Sequence, residues 1–549
     1  MSKAKWQSYP RPQMRRKSYI NLNGEWELDG KKIQIPFPPQ SALSCYEGKI
    51  GEKMGYVKYI MIPETFTQPK VLLHFGAVDE VAEVYVNDVF VGKHVGGYLP
   101  FTADISHALL PGQENKIVIR AEDTLSRVYP YGKQCKKRGG MWYTPVSGIW
   151  QTVWMENVPE KYIEGIKLTP SLTDVEISVR GKVEGFQAIV SDAQGNVVAE
   201  QFFAENTGTI VIPDPVNWTV EYPYLYDIKI KAGEDEVDSY FALRTVDIQK
   251  IAGVKRICLN HKPIFMHGLL DQGYYQDGIY LPEDEEEFTR DILRMKELGF
   301  NMLRKHIKIE PEKFYYECDR LGMLVVQDMV NNGGYSYILD TVLPTVGFKK
   351  RNDCKGRYQD PDCKREFEAG MIATLHHLYN HPCIIGYTIF NEDWGQFESD
   401  RMYELAKSKD ATRFYDSTSG WFAQLKSDVD SEHIYFRAEE LHPKERPMFL
   451  SECGGFSYKV PGHVFNEKKT YGYGACESAE ELTDRIVDMY NIMVVPGIKR
   501  GLCGCVYTQV SDVEDEINGM YTYDRQVCKV NKEKMQVLAK CIFHEINSI

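Results

Sequence analysis

The chain of 549 residues is 43% hydrophobic and 26% charged, with a formal net charge of −13. Its length exceeds what one core can organise and predicts three or four domains, and so ordinary a composition excludes a disordered chain. The acidic balance argues against nucleic acid or an anionic membrane as the main partner and leaves a neutral or modestly charged small substrate.

The opening Met1-Ser2-Lys3-Ala4-Lys5-Trp6-Gln7 carries no apolar export segment, and no run of 18 apolar residues follows. The expectation is a cytoplasmic protein without a membrane span, a signal peptide removed beforehand being left open. Thirteen cysteines lie mostly inside apolar segments. Cys503-Gly504-Cys505 is the one close pair and lacks a zinc-site spacing, so reduced thiols are expected, and no metal or cofactor.

Residues 1–157 read as all-β. Val71-Leu72-Leu73-His74-Phe75, Ala82-Glu83-Val84-Tyr85-Val86 and Lys116-Ile117-Val118-Ile119-Arg120 are short strands, and Asn87-Asp88 predicts a tight hairpin into Val89-Phe90-Val91. Without an amphipathic helix, the natural architecture is a β-sandwich. Residues 158–247 continue with shorter strands, such as Val175–Val179 and Asp227–Ile230, and fit an immunoglobulin-like sandwich. The tract Tyr129 to Arg138, basic and aromatic, either reaches over the mouth of the third domain, where it would shape the outer, leaving-group side of a site, or is a plain surface loop.

From 248 to 549 strands alternate with helices. Phe288, Ile292, Met295 and Leu298 share one helical face after Pro282, and Gly299 ends it; Pro311 to Leu321 repeats the design with Gly322 as its stop. Each leads into a buried strand, 301–304 and 323–328. Further helices are expected at 366–380 and 479–495. This pattern predicts a (β/α)8 barrel ahead of an open doubly wound sheet, and no glycine-rich phosphate loop supports a nucleotide site.

Two of the barrel's apolar strands end in carboxylates. Cys383-Ile384-Ile385-Gly386-Tyr387-Thr388-Ile389-Phe390 runs into Asn391-Glu392-Asp393-Trp394, and Pro447-Met448-Phe449-Leu450 runs into Ser451-Glu452. An unpaired buried charge is costly, and the C-terminal strand ends of such barrels carry catalytic groups. Two carboxylates so placed suit glycoside hydrolysis.

Several segments together resemble glycoside hydrolase family 2, the family of β-galactosidases, β-glucuronidases and β-mannosidases. They are Tyr9-Pro10-Arg11-Pro12 with Leu22-Asn23-Gly24-Glu25-Trp26; Arg138-Gly139-Gly140-Met141-Trp142-Tyr143 with Ser147-Gly148-Ile149-Trp150; Asn260-His261-Lys262-Pro263-Ile264; Gly299-Phe300-Asn301 with Arg304 and His306; Asn391-Glu392; and Ser451-Glu452. The resemblance spans the chain and implies a jelly-roll-like, sugar-binding-like sandwich, an immunoglobulin-like sandwich and a catalytic (β/α)8 barrel.

It also implies a retaining exo-β-glycosidase acting on small or oligosaccharide β-glycosides, with Glu452 as nucleophile and Glu392 as acid/base. Asn391 is expected to hold the sugar 2-hydroxyl, Arg304 to orient Glu452, and Tyr435 to hydrogen-bond it. His306, Asp328, Asp271, Gln272 and Trp394 are expected around the sugar. Where many relatives carry a tryptophan at the last strand tip, this chain has Val506-Tyr507-Thr508-Gln509, so Tyr507 or Gln509 is expected to line the pocket. The Asn-x-Lys signature of β-glucuronidases is not evident after Glu452, and the acidic Asp512, Glu514, Asp515 and Glu516 would repel a uronate unless they form a solvated loop. A β-galactoside is therefore the first expectation. A β-glucuronide, an arabinoside or a non-catalytic sugar-binding role are the alternatives, and a homo-oligomer stays open.

Overall fold

Asn87 and Asp88 both adopt left-handed backbone angles, φ 49° and 64°, as a two-residue hairpin turn requires. They set Val86 opposite Val89 in the strand pair Val81–Val86 and Val89–Val95. That hairpin is the edge of a six-stranded antiparallel sheet, which packs on a four-stranded sheet over a core including Trp26, Tyr56, Phe75 and Ile119. The first domain is thus a β-sandwich. A second sandwich of three and four antiparallel strands lies between Ile163 and Phe241 around Ile177, Val190, Ile228 and Phe241. The computed structural model describes residues 5–345, 347–348, 352–355, 357–435 and 438–549; the first four residues, on which the expectation about export partly rests, lie outside these.

Eight parallel strands form the third unit: β1 (Met266–Asp271), β2 (Met302–Lys305), β3 (Leu324–Asp328), β4 (Ile384–Asn391), β5 (Phe414–Ser419), β6 (Asp430–Ile434), β7 (Met448–Cys453) and β8 (Leu502–Tyr507). They pair in the order β5-β4-β3-β2-β1-β8-β7-β6. Seven are buried throughout, and β3, β4 and β8 read as largely apolar runs rather than alternating ones; β5 and β6 carry mostly polar residues, and β6 is only half-buried over residues 430–432. Helices α1 (Glu286–Glu297) and α2 (Glu312–Leu321) follow β1 and β2 as expected. At the end of α2, Gly322 takes φ 69°, the left-handed cap that only glycine adopts freely. Helices α3 (Pro361–His377), α4 (Ser399–Lys409), α5 (Ala479–Met489) and α6 (Lys532–Asn547) complete the outer layer. No helix among the described residues is long and apolar enough to cross a membrane.

The barrel departs from the regular repeat between β5 and β6, where only residues 420–429 connect the strands and no helix intervenes. No backbone ladder joins these two strands. Side chains bridge the seam instead: Ser431 Oγ donates to Asp416 at 2.7 Å, and Ser419 Oγ lies 2.9 Å from His433 Nε2. At the opposite, N-terminal end, the hairpin Val246–Ile251 and Val254–Leu259 closes the barrel floor. Ile257 and Leu259 pack there with Met266, Met302, Leu324 and Phe449. This hairpin runs across the expected boundary at 247/248, because its apolar face belongs to the barrel core.

Candidate active site

The C-terminal ends of the barrel strands converge on a small pocket. Of the residues expected from the sequence, Gln272, His306, Asn391, Glu392, Tyr435 and Glu452 line it.

Glu452 ends β7 with 4% of its surface exposed. Arg304 Nη1 donates to its Oε1 at 3.0 Å, and the Tyr435 hydroxyl donates to Oε2. His433 Nε2 lies 3.7 Å from Oε1. Burial alone would push this carboxyl up, but His433, Arg304, His306 and the Tyr435 hydrogen bond together bring it down to about 2. It is therefore a carboxylate at neutral pH. Just beyond it Gly454 takes φ 74°, and a Cβ there would meet the Tyr507 ring at 2.2 Å; the close approach of that ring demands glycine.

Arg304 is fully buried and uses its whole fork. Nε donates to Asp328 at 2.9 Å, Nη1 also to the Ser451 carbonyl at 2.9 Å, and Nη2 to Asn391 Oδ1 at 2.9 Å. Since a guanidinium only donates, Asn391 must present its oxygen to Arg304, which leaves its amide N–H groups for the pocket.

Glu392 follows β4 in a strained turn. It and Asp393 take φ 49° and 67°, left-handed angles that cost non-glycine residues about 1–3 kcal/mol each. Hydrogen bonds from Glu392 N to Ser419 O (3.1 Å) and Trp394 N to Asn391 O (3.0 Å) hold the turn. Its Oε1 lies 2.7 Å from His433 Nδ1. One oxygen of each glutamate and a His433 nitrogen lie within 4.8 Å of one another. Carboxyl groups about 5–5.5 Å apart mark retaining glycosidases, whereas inverting ones need about 6.5–9.5 Å. The same trio is the cluster, among the described residues, close enough to ligate an ion; the donors of Arg304 and Tyr435 aimed at Glu452 work against a cation there.

Five expected contacts lie behind the wall or beside it. Asp328 gives its two oxygens to Arg304 Nε and to His306 Nδ1 (2.7 Å), so it supports those side chains. Asp271 is held by Lys305 Nζ (2.6 Å) and Gly273 N (2.9 Å). Tyr507 is fully buried and its hydroxyl accepts from Phe456 N at 3.1 Å. Gln509 donates to Asn518 Oδ1 at 2.7 Å. Trp394 packs beside the pocket in an aromatic group with Trp142, Tyr335 and Tyr131, ring centroids 4.8–5.6 Å away.

Several pocket residues had no individual signal in the sequence. Lys133 and Met141 come from the first sandwich, so the tract after Tyr129 does reach the barrel. It is pinned there by Tyr131 N to Asn331 O (3.1 Å) and Tyr131 Oη to Gly333 O (2.9 Å). Tyr473 stacks on Tyr435 at 4.5 Å. Glu516 lines the pocket, and the acidic run around it is buried rather than solvated. Asp512 pairs with Lys529 at 2.6 Å, Glu514 accepts from Thr144 N at 2.9 Å, and Glu516 accepts from the Tyr143 hydroxyl and from Asn518 Nδ2 at 2.9 Å. His433 was within reach of sequence reasoning, two positions before Tyr435 along an extended segment and so on the same side.

Residues 250–449 match the family model described as "Glycosyl hydrolases family 2, TIM barrel domain", and residues 11–159 match "Glycosyl hydrolases family 2, sugar binding domain". A putative beta-glucuronidase of Formosa agariphila is 25% identical, the match covering 84% of this chain and 59% of that protein. A beta-galactosidase of Thermoanaerobacter pseudethanolicus is 28% identical over 74% of this chain and 54% of that protein. The chain thus spans little more than half the length of these curated relatives. Among solved structures, a beta-D-glucuronidase of Dictyoglomus thermophilum shares the fold with a TM-score of 0.76, 20% identity and coverage of 97% of this chain and 98% of that one.

Proposed function

Because the chain belongs to glycoside hydrolase family 2, we propose that it is a retaining exo-β-glycosidase that releases a terminal neutral hexose, β-galactose first. The observation that carries this reading is the approach of Glu392 and Glu452 within 4.8 Å in a small pocket at the barrel mouth. Glu452, kept ionised by Arg304 and Tyr435, attacks the anomeric carbon and forms a glycosyl-enzyme ester. Glu392, steered by His433, gives its proton to the departing oxygen and then takes one from the incoming water. The Asn391 amide donates to the sugar 2-hydroxyl, a bond that strengthens as positive charge develops on the ring. His306, oriented through Nδ1 by Asp328, has Nε2 left for another hydroxyl.

A neutral glycon is favoured by charge. Of the side chains on the wall, one ammonium, Lys133, stands against three carboxylates, Glu392, Glu452 and Glu516. Lys133 is the feature that favours a β-glucuronide, and the names of the relatives include both activities. An α-L-arabinopyranoside, which has the galactose ring without its C6 group, belongs in the same comparison.

The test is a panel of p-nitrophenyl β-galactoside, β-glucuronide and α-L-arabinopyranoside, with the first-released anomer read by NMR. The β-galactoside should be turned over fastest and release β-galactose first. Failure of every substrate on the panel, or initial release of the inverted anomer, overturns the reading.

A further inference from the structure

The double displacement described above leaves three polar groups on the pocket wall without a task. Lys133 arrives on the loop from the first sandwich, half-buried. Its Nζ lies 5.8 Å from the centre of the Trp394 ring and, among the described residues, forms neither an ion pair nor a hydrogen bond. Gln272, 5% exposed, and Thr508, 3% exposed, line the same pocket, and their side-chain oxygens Oε1 and Oγ1 are buried without a partner among the described residues. A buried polar atom left unpaired keeps its full desolvation cost, so an acceptor (Gln272 Oε1), a hydroxyl able to donate or accept (Thr508) and a lone donor (Lys133) around one cavity point to a ligand that brings both kinds of partner.

A hydroxyl group does this: its oxygen accepts from an ammonium and its proton goes to a neutral oxygen. A carboxylate would suit Lys133 and could accept from the Thr508 hydroxyl. It would oppose the unpaired Gln272 Oε1, and it would face Glu516, whose two oxygens already accept from Tyr143 and Asn518. We propose that Lys133, Gln272 and Thr508 grip hydroxyl groups of the glycon, which makes the first sandwich, through Lys133, a specificity element of the barrel's pocket. This rests on the β-glycosidase reading and assigns the side of the sugar that Asn391 does not hold.

The experiment measures kcat/KM for p-nitrophenyl β-D-galactopyranoside and its 3-, 4- and 6-deoxy analogues in the wild type, Lys133→Met, Lys133→Arg and Thr508→Val. A site built around a hydroxyl discriminates strongly against its absence, so the wild type should lose on the order of 100-fold or more on the analogue lacking the gripped hydroxyl. Lys133→Met should lose a similar factor on the parent and little further on that one analogue, so that their ratio collapses toward unity. Lys133→Arg should restore part of the ratio, and Thr508→Val should collapse the ratio for one analogue while leaving the others unchanged. Equal losses on every analogue, or wild-type ratios in Lys133→Met, overturn the proposal. So does a wild type that prefers the β-glucuronide and loses that preference in Lys133→Met.

Calorimetry with free D-galactose and its deoxy forms on Glu452→Gln separates the two claims. Binding that depends on Lys133 and on one hydroxyl supports the grip even where no glycoside is turned over. Turnover without that dependence leaves the enzyme and removes the grip.

Discussion

At the tip of β7, Glu452 meets a guanidinium, a phenol hydroxyl and the edge of an imidazole, almost shut off from water; at the tip of β4, Glu392 meets one imidazole and the open pocket. Both residues end apolar strands of one barrel and both are glutamates. What separates them is how many donors the neighbouring tips aim at each. A carboxylate wrapped in donors is held as an anion in one orientation, which suits a nucleophile, whereas one facing the pocket with a single partner is within reach of a departing oxygen or an incoming water, which suits an acid/base.

Removing each carboxylate in turn breaks the comparison most directly. Glu452→Ala should lower kcat by about 10⁴-fold or more, the scale seen when a nucleophile is deleted, and added azide should yield the α-glycosyl azide. Glu392→Ala should retain glycosylation mainly for activated aryl substrates, and azide should yield the β-glycosyl azide. Steady-state kinetics with NMR of the azide product decides, and exchanged products reverse the two roles.

Arg304→Met tests the donor set. It leaves Glu452 and Asp328 as buried charges without their shared partner, and breaking a buried pair costs about 3–5 kcal/mol. A lower unfolding midpoint and a kcat/KM loss on the order of 100-fold are expected, from the misplacement of a catalytic group. An active, equally stable variant would show that Tyr435 and His433 suffice.

Tyr435→Phe is milder and reads the same set through pH. The folded carboxyl of Glu452 lies at about 2, below its ordinary value of 4.5. Its contribution to stability is thus complete above about 4.5 and is lost as pH falls through about 2. Without the tyrosine hydroxyl, the acid limb of kcat/KM should move upward by about half a unit to one unit, the scale of one lost hydrogen bond. An unmoved limb would assign the depression to Arg304 and His433 alone.

The same asymmetry explains what could be read from the chain. The order of sandwich, sandwich and barrel was legible, because strand period, turn pairs such as Asn87-Asp88 and helix stops such as Gly322 are local signals. The two glutamates and Asn391 were legible because polar residues ending apolar strands break a local pattern. Lys133, Thr508 and Glu516 were legible only through the segments that hold them, since a lysine in a sandwich loop and a glutamate in an acidic run have no local feature that singles them out for a barrel mouth. Asp328 and Gln509 were expected at the sugar and stand behind the wall, because sequence spacing finds a strand tip but does not tell which neighbour claims the side chain. The open seam between β5 and β6 was equally hidden, being the absence of a helix from a short segment whose flanking strands looked ordinary.

A third buried carboxylate at that seam extends the comparison. Asp416 on β5 is 1% exposed and accepts from Ser431 Oγ. Burial raises it to about 6, and the Ser431 hydrogen bond and the more distant Arg304 and His433 offset only part of that rise. The sign is opposite to that of Glu452. With a folded value above the unfolded 3.8, the contribution to stability is present below about 3.8 and is lost as pH rises through about 6. At pH 7 the ionised form is therefore a burden, and Asp416→Asn, which keeps an acceptor for Ser431, removes it. Thermal unfolding should show Asp416→Asn more stable than wild type by about 1–3 kcal/mol at pH 7, with the difference shrinking toward zero near pH 4. A difference that does not change with pH would mean that Asp416 is neutralised by a partner across the seam, and the contrast with Glu452 would then rest on hydrogen-bond count alone.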